Sequence, residues 1–109
     1  MKKQYRIRKN EEFSKIISKK HSKSSACFVV YYDTKVFDYC RVGLSVSKKM
    51  GDAVTRNRIK RQIREMVYSI VDFENSPVDV IVIAKKEYLN RSFIDNKNDL
   101  EKLIKKAII

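Results

Sequence analysis

Between Lys48 and Glu65 stand seven Lys or Arg side chains, an asparagine and a glycine, in the order KKMGDAVTRNRIKRQIRE. Asp52 suits the N-cap of a helix running to about residue 72, so Arg56, Asn57, Arg58, Lys60, Arg61 and Arg64 fall in its opening turns. Cations near a helix N-terminus oppose the helix dipole. Phosphate is the partner that offsets this cost, because it takes hydrogen bonds from guanidinium forks and from free N–H groups at the helix start. Gly51, in the basic turn that begins at Lys48, permits a positive φ or a close backbone approach.

Other chemistries have little to work with. A single histidine, His21, excludes a His triad, and it reads as an ordinary surface residue. Cys27 and Cys40 are too few for a disulfide framework and read as small buried hydrophobes. No carboxylates cluster near the basic motif, where Asp52 stands apart from Glu65. Two-metal phosphoryl transfer needs several acidic ligands in one place. The expectation is therefore no protein-borne catalytic residue and no protein metal site.

The 109 residues carry 25 Lys and Arg against 13 Asp and Glu, a net charge of +12. Residues 1–23 and residues 41–64 are each net +7, while residues 65–84 are net −4. Such segregation makes a one-sided field suited to a polyanion. No apolar run is long enough to span a bilayer, and no apolar stretch follows the basic start. The length fits a single domain over 1–109, with a cytoplasmic setting and no membrane partner expected.

The elements that must position the motif follow from periodicity. Residues 10–20 predict a short helix capped by Asn10, with Phe13, Ile16 and Ile17 on one face. Residues 21–26 predict a polar loop. Residues 27–33 predict a strand with Phe28, Val30 and Tyr32 on one face and Val29 and Tyr31 on the other. A connection over 34–39, read as a hairpin, leads to a strand over 40–47 with Val42, Leu44 and Val46 facing one way and Arg41, Gly43 and Ser45 the other. In the motif helix Ile59, Ile63, Met66, Val67 and Ile70 form one stripe, with Arg56, Asn57, Lys60, Arg61 and Arg64 on the arc beside it. Residues 78–84, VDVIVIA, predict a buried strand. Ser92 and Asp95 suggest a cap for a last helix presenting Leu100, Leu103, Ile104 and Ala107. The order is α-β-β-α-β-α with room for one further short strand, and sheet packed on helices is the natural architecture.

The segment Val42-Gly43-Leu44-Ser45-Val46-Ser47-Lys48-Lys49, followed by Ala53-Val54-Thr55-Arg56-Asn57-Arg58-Ile59-Lys60-Arg61-Gln62-Ile63-Arg64-Glu65, closely resembles the signature of the bacterial ribonuclease P protein subunit. Arg6 to Phe13, Phe28 to Tyr31 and Asp79 to Lys85 extend the resemblance along most of the chain. Ile17 stands where that family often has a second aromatic, and His21 follows Lys20 where a glycine is usual.

The resemblance implies a two-layer α/β sandwich of order α-β-β-β-α-β-α, like the second domain of a ribosomal S5-type protein, with a left-handed βαβ crossover. It implies a ribonucleoprotein endonuclease that removes the 5′ leader of precursor tRNA, with the chemistry carried by a catalytic RNA and Mg²⁺ held mainly by RNA and substrate phosphates. The partners implied are that RNA and precursor tRNA, with no protein partner required. Leader binding falls by resemblance to Phe13, Ile17, Val29, Tyr31, Arg56, Asn57, Lys60 and Arg64, in a groove kept open by the small Gly43 and Ser45. Contact with the catalytic RNA falls to Lys48, Lys49, Gly51, Arg58 and Arg61. A ribosomal or general RNA-binding protein is the alternative. A helix-turn-helix DNA reader is disfavoured because a strand, not a short helix, precedes the basic helix. A protein-only nuclease is disfavoured by the missing carboxylates.

Overall fold

The run Val78–Ala84 is almost wholly apolar and β-branched, so it has no polar face to turn to water and belongs inside a sheet. In the computed structural model, which describes residues 2–108, it is the inner strand β4. The other strands are β1 (Ser22–Ser24), β2 (Phe28–Thr34) and β3 (Val42–Ser45), and the sheet order is β1-β2-β4-β3. Strand β4 runs antiparallel to β2, with Val30 opposite Val82, and parallel to β3, with Leu44 opposite Val82. The helices are α1 (Asn10–Ser18), α2 (Ala53–Ile70) and α3 (Phe93–Ile108), giving the α-β-β-β-α-β-α order. Met1 and Ile109, included in the domain expected over 1–109, lie outside the described residues.

Three local expectations need correction. The connection over 34–39 is not a hairpin, because β4 takes the place between β2 and β3. Adjacency in sequence favoured the hairpin, but the wholly apolar β4 takes the inner position, with a hydrogen-bonded strand along each edge and helices over both faces. The loop expected over 21–26 contains β1, whose serines and lysine are exposed and pair with Val29 to Tyr31. Asn10 does not cap α1; it is the first helical residue, and Lys9 takes the cap position with no side-chain hydrogen bond. Helix α1 ends with Lys20 in the left-handed region at φ 60°.

Other signals read as expected. The Asp52 carboxylate accepts from the Thr55 N–H at 2.9 Å, and Ser92 Oγ accepts from the Asp95 N–H at 3.1 Å. Helix α2 buries Ile59, Ile63, Met66 and Val67 against one sheet face, beside Leu100, Leu103, Ile104 and Ala107 of α3. This core takes in Phe28, Val30, Val42, Val80 and Val82, and Tyr88 meets Phe28 edge-on at 5.6 Å. Both cysteines are fully buried free thiols, and burial pushes Cys40 up to about 12.

Helix α1 lies on the opposite face. There Ile7, Ile16 and Ile81 form a small second cluster, flanked by Phe13, Ile17, Tyr31 and Ile83. Strand β2 thus divides as its alternation demands, with Phe28 and Val30 in the large core and Tyr31 in the small one. The N-terminal arm extends the sheet: Arg6 bridges Val42 in parallel, and the Ile7 N–H donates to the Val42 carbonyl at 3.0 Å.

Candidate nucleic-acid interface

Strand β3 ends the four-stranded order, and the cations gather on its outer side, where the N-terminal arm bridges Val42. The N-terminal arm runs along one end of it, and α2 crosses beside it. Between them lies a depression of about 240 Å³ lined by Arg6, Arg8, Lys60 and Arg64 around Ile7, Val42 and Leu44. Four cations are packed here because two distant segments converge. The β3 bridge fixes Arg6 and Arg8, while Lys60 and Arg64 are i, i+4 neighbours on one flank of α2. Partial burial, then the charges of Arg6, Arg61 and Arg8, pull Arg64 below the usual arginine value. The guanidinium stays charged, and an anion placed here would relieve the repulsion. A second, open depression of about 690 Å³ continues along α2, lined by Lys2, Arg6, Arg61, Arg64, Glu65 and Tyr68.

The aromatic side of the expected groove lies on the other sheet face. A Cβ on Gly43 would stand 2.7 Å from Phe13 Cζ, so the glycine lets the Phe13 ring rest directly on the strand. The space that Gly43 leaves is thus filled by the Phe13 ring, whereas the resemblance implies a groove kept open there. Phe13, Ile17 and Tyr31 come together around the small cluster and remain half-buried. Val29 is half-buried on β2, between Ser24 and Ile83 in register, and is not part of that cluster.

An ion triad, buried at Arg41 and Asp79 and half-buried at Glu12, ties α1 to this face. Arg41 lies 2.6 Å from Glu12 and 3.2 Å from Asp79, and its backbone N–H donates to Asp79 Oδ1 at 2.8 Å. Burial works to lower the Arg41 value, but the Glu12 hydrogen bond and the Asp79 charge outweigh it and raise the guanidinium above its ordinary value. Arg41 and Asp79 are 6% and 1% exposed, so neither is a free surface charge. Glu12 precedes Phe13, and Arg41 stands two residues before Gly43, so the triad sets the seat of the ring.

The remaining expected residues are divided between surfaces. Arg56 is half-buried and Asn57 exposed in the opening turns of α2, and neither lines the two cationic depressions. The resemblance groups Arg61 with the catalytic-RNA residues, yet Arg61 shares a depression with Arg64. Arg58 lies on the other flank of α2, beside Gln62, Tyr88 and Arg91. Lys48 and Lys49 are exposed in a 3-10 turn closed by Gly51, whose φ of 139° is one that L side chains rarely adopt. Arg6 and Arg8 were visible only as part of a basic arm. Their place in the site depends on the parallel bridge to Val42, which no local pattern announces.

The family model for ribonuclease P matches residues 1–108. The chain belongs to the ribonuclease P protein family. It is 43% identical over 110 residues to the ribonuclease P protein component of Bacillus pumilus, covering all of this chain and 92% of that protein. It is 42% identical over 99 residues to that of Mesoplasma florum, covering 90% of each. Among solved structures, a Staphylococcus aureus RNase P protein superposes with a TM-score of 0.83 at 40% identity, covering 94% of each chain. The Thermotoga maritima RNase P protein gives 0.79 at 29% identity, covering 93% of this chain and 96% of that one. Membership makes this chain a component of a tRNA-processing ribonuclease, and so a partner of the ribonuclease P RNA. Among the described residues no helix is long and apolar enough to cross a membrane.

Proposed function

We propose that this chain binds both the catalytic RNA and the 5′ leader of precursor tRNA, and that the RNA carries out the cleavage. The observation that carries the reading is the convergence of Arg6, Arg8, Lys60 and Arg64 at the outer side of β3, with Phe13 seated on Gly43 of the same strand. Cations in a groove neutralise the backbone of single-stranded RNA, and aromatic faces accept bases of any identity. Phe13 and Tyr31 serve the bases, and Lys60, Arg64 and the first turns of α2 serve the phosphates. Lys48, Lys49 and Arg58 face the catalytic RNA. Arg61, beside Arg64, joins the two surfaces.

Mg²⁺ does not fit a protein cage here: among the described residues no three His, Cys, Asp or Glu side chains converge to hold one. In this reading the ion is held by RNA and substrate phosphates, and the chain contributes positive charge that lowers the concentration of Mg²⁺ needed. The test is cleavage of precursor tRNA by the ribonuclease P RNA with and without this protein across a Mg²⁺ titration. The protein is expected to shift the titration to lower Mg²⁺ and to show no cleavage alone. Robust cleavage by RNA-free protein, or an unmoved titration, would overturn the reading.

A further inference from the structure

Helix α2 does not end its cationic flank at the basic motif. Tyr68 follows Arg64 by one turn and Arg61 by two, so it continues the same side of the helix. The residue is 63% exposed, unusual for so large an apolar surface with core available on the neighbouring face. It lines the 690 Å³ depression together with Lys2, Arg6, Arg61 and Arg64, and with one carboxylate, Glu65. Leu89 and Phe93, exposed apolar side chains at another depression, have two cations beside them, Arg58 and Arg91. A flat aromatic face open to water beside guanidinium groups is the combination that holds an unpaired nucleotide, with the base on the ring and the phosphate on the arginines.

We propose that Tyr68, with Arg61 and Arg64, forms a stacking subsite for one unpaired nucleotide of bound RNA, beyond the residues of the motif. The proposal rests on the reading that this edge of the molecule binds RNA. The nucleotide belongs either to the precursor leader or to a single-stranded stretch of the catalytic RNA. The chemistry of recognition is the same in both cases.

The test uses the full chain and three affinities: for the ribonuclease P RNA, and, in the assembled holoenzyme, for precursor tRNA with its leader and for tRNA without it. Tyr68→Ala is expected to lose roughly 5- to 150-fold in at least one of these, the range that one base stacked on an aromatic supplies. Tyr68→Phe keeps the ring and is expected to bind as wild type. The salt dependence of Tyr68→Ala is expected to match wild type, since no charge is removed, and so is its melting temperature, since the ring is exposed. Loss confined to leader-bearing precursor assigns the nucleotide to the leader, and loss against the RNA alone assigns it to the catalytic RNA. Unchanged affinity of Tyr68→Ala for all three, with Arg64→Ala weakened, overturns the subsite and leaves the RNA-binding reading standing. Equal loss in Tyr68→Phe also overturns it, because stacking then explains nothing. Absence of binding by the wild-type chain to any of the three removes the underlying reading instead.

Discussion

The two faces of the sheet are built differently. One is sealed by α2 and α3 over a large core in which Phe28, Ile59, Ile63 and Leu100 are almost wholly buried. The other carries only α1, which packs Ile16 with Ile7 and Ile81, and leaves Phe13, Ile17 and Tyr31 half-buried. Burial of apolar area holds the first face, at about 25 cal/mol per Å². On the second that area is small, and an ion triad whose Arg41 and Asp79 are buried ties the helix in its place. Stability and recognition are thus separated: the thick side supplies a rigid platform, and the thin side presents partly exposed aromatic surface to solvent. Strand β3, at the edge, belongs to both, with Val42 in the large core and Gly43 beneath Phe13.

The strongest way to break the thick side is Phe28→Ala. The ring is fully buried and meets Tyr88, so its loss is expected to cost about 3–5 kcal/mol in urea unfolding, enough to unfold much of a marginally stable small domain. On the thin side, Arg41→Met strands the Asp79 carboxylate, which is 1% exposed, and is expected to cost about 3 kcal/mol. A cost below about 1 kcal/mol would show that the triad is not what fixes α1.

Gly43→Ala sharpens the contrast. The added methyl meets only the far end of the Phe13 ring, which can swing aside. Stability is expected to change by less than about 1 kcal/mol. Affinity for leader-bearing precursor tRNA is expected to fall, while affinity for leaderless tRNA holds. Equal affinities for wild type and variant would detach Phe13 from the leader.

Two smaller effects probe the helix ends. Lys20→Gly removes the cost of a side chain at φ 60° where α1 ends, and is expected to raise stability by about 1 kcal/mol. At the start of α2, the Thr55 N–H holds the Asp52 carboxyl below its ordinary value of 3.8. Because the folded value is the lower one, this contribution is present above about pH 4 and is lost as the pH falls through the folded value. Asp52→Asn keeps a capping oxygen without the titration. It is expected to flatten the acid limb of stability against pH, measured by urea unfolding between pH 6 and pH 3.

Much of this was legible in the sequence where the governing interactions are local. The apolar stripe of α2 and its Asp52 cap, the two-faced alternation of β2, and the fully apolar β4 each announce themselves within a few residues. Strand order was not legible, since β4 reaches its place between β2 and β3 by pairings between residues far apart in the chain, such as Val30 with Val82 and Leu44 with Val82. For the same reason Arg6 and Arg8 were seen as a basic arm and not as neighbours of Lys60 and Arg64. Arg41 was placed correctly on the strand face away from Val42, but an arginine in sequence does not announce burial. Its burial follows from Glu12 and Asp79, which lie on different elements.

In the proposed function, the cations at the β3 edge are held together to grip RNA phosphates. This grip is tested most directly by the salt dependence of holoenzyme affinity for leader-bearing precursor tRNA, comparing wild type with the Lys60→Ala, Arg64→Ala double variant. If each side chain neutralises one phosphate of a single strand, the log–log slope becomes shallower by roughly 1.4, about 0.7 for each contact. A slope unchanged from wild type would contradict the account.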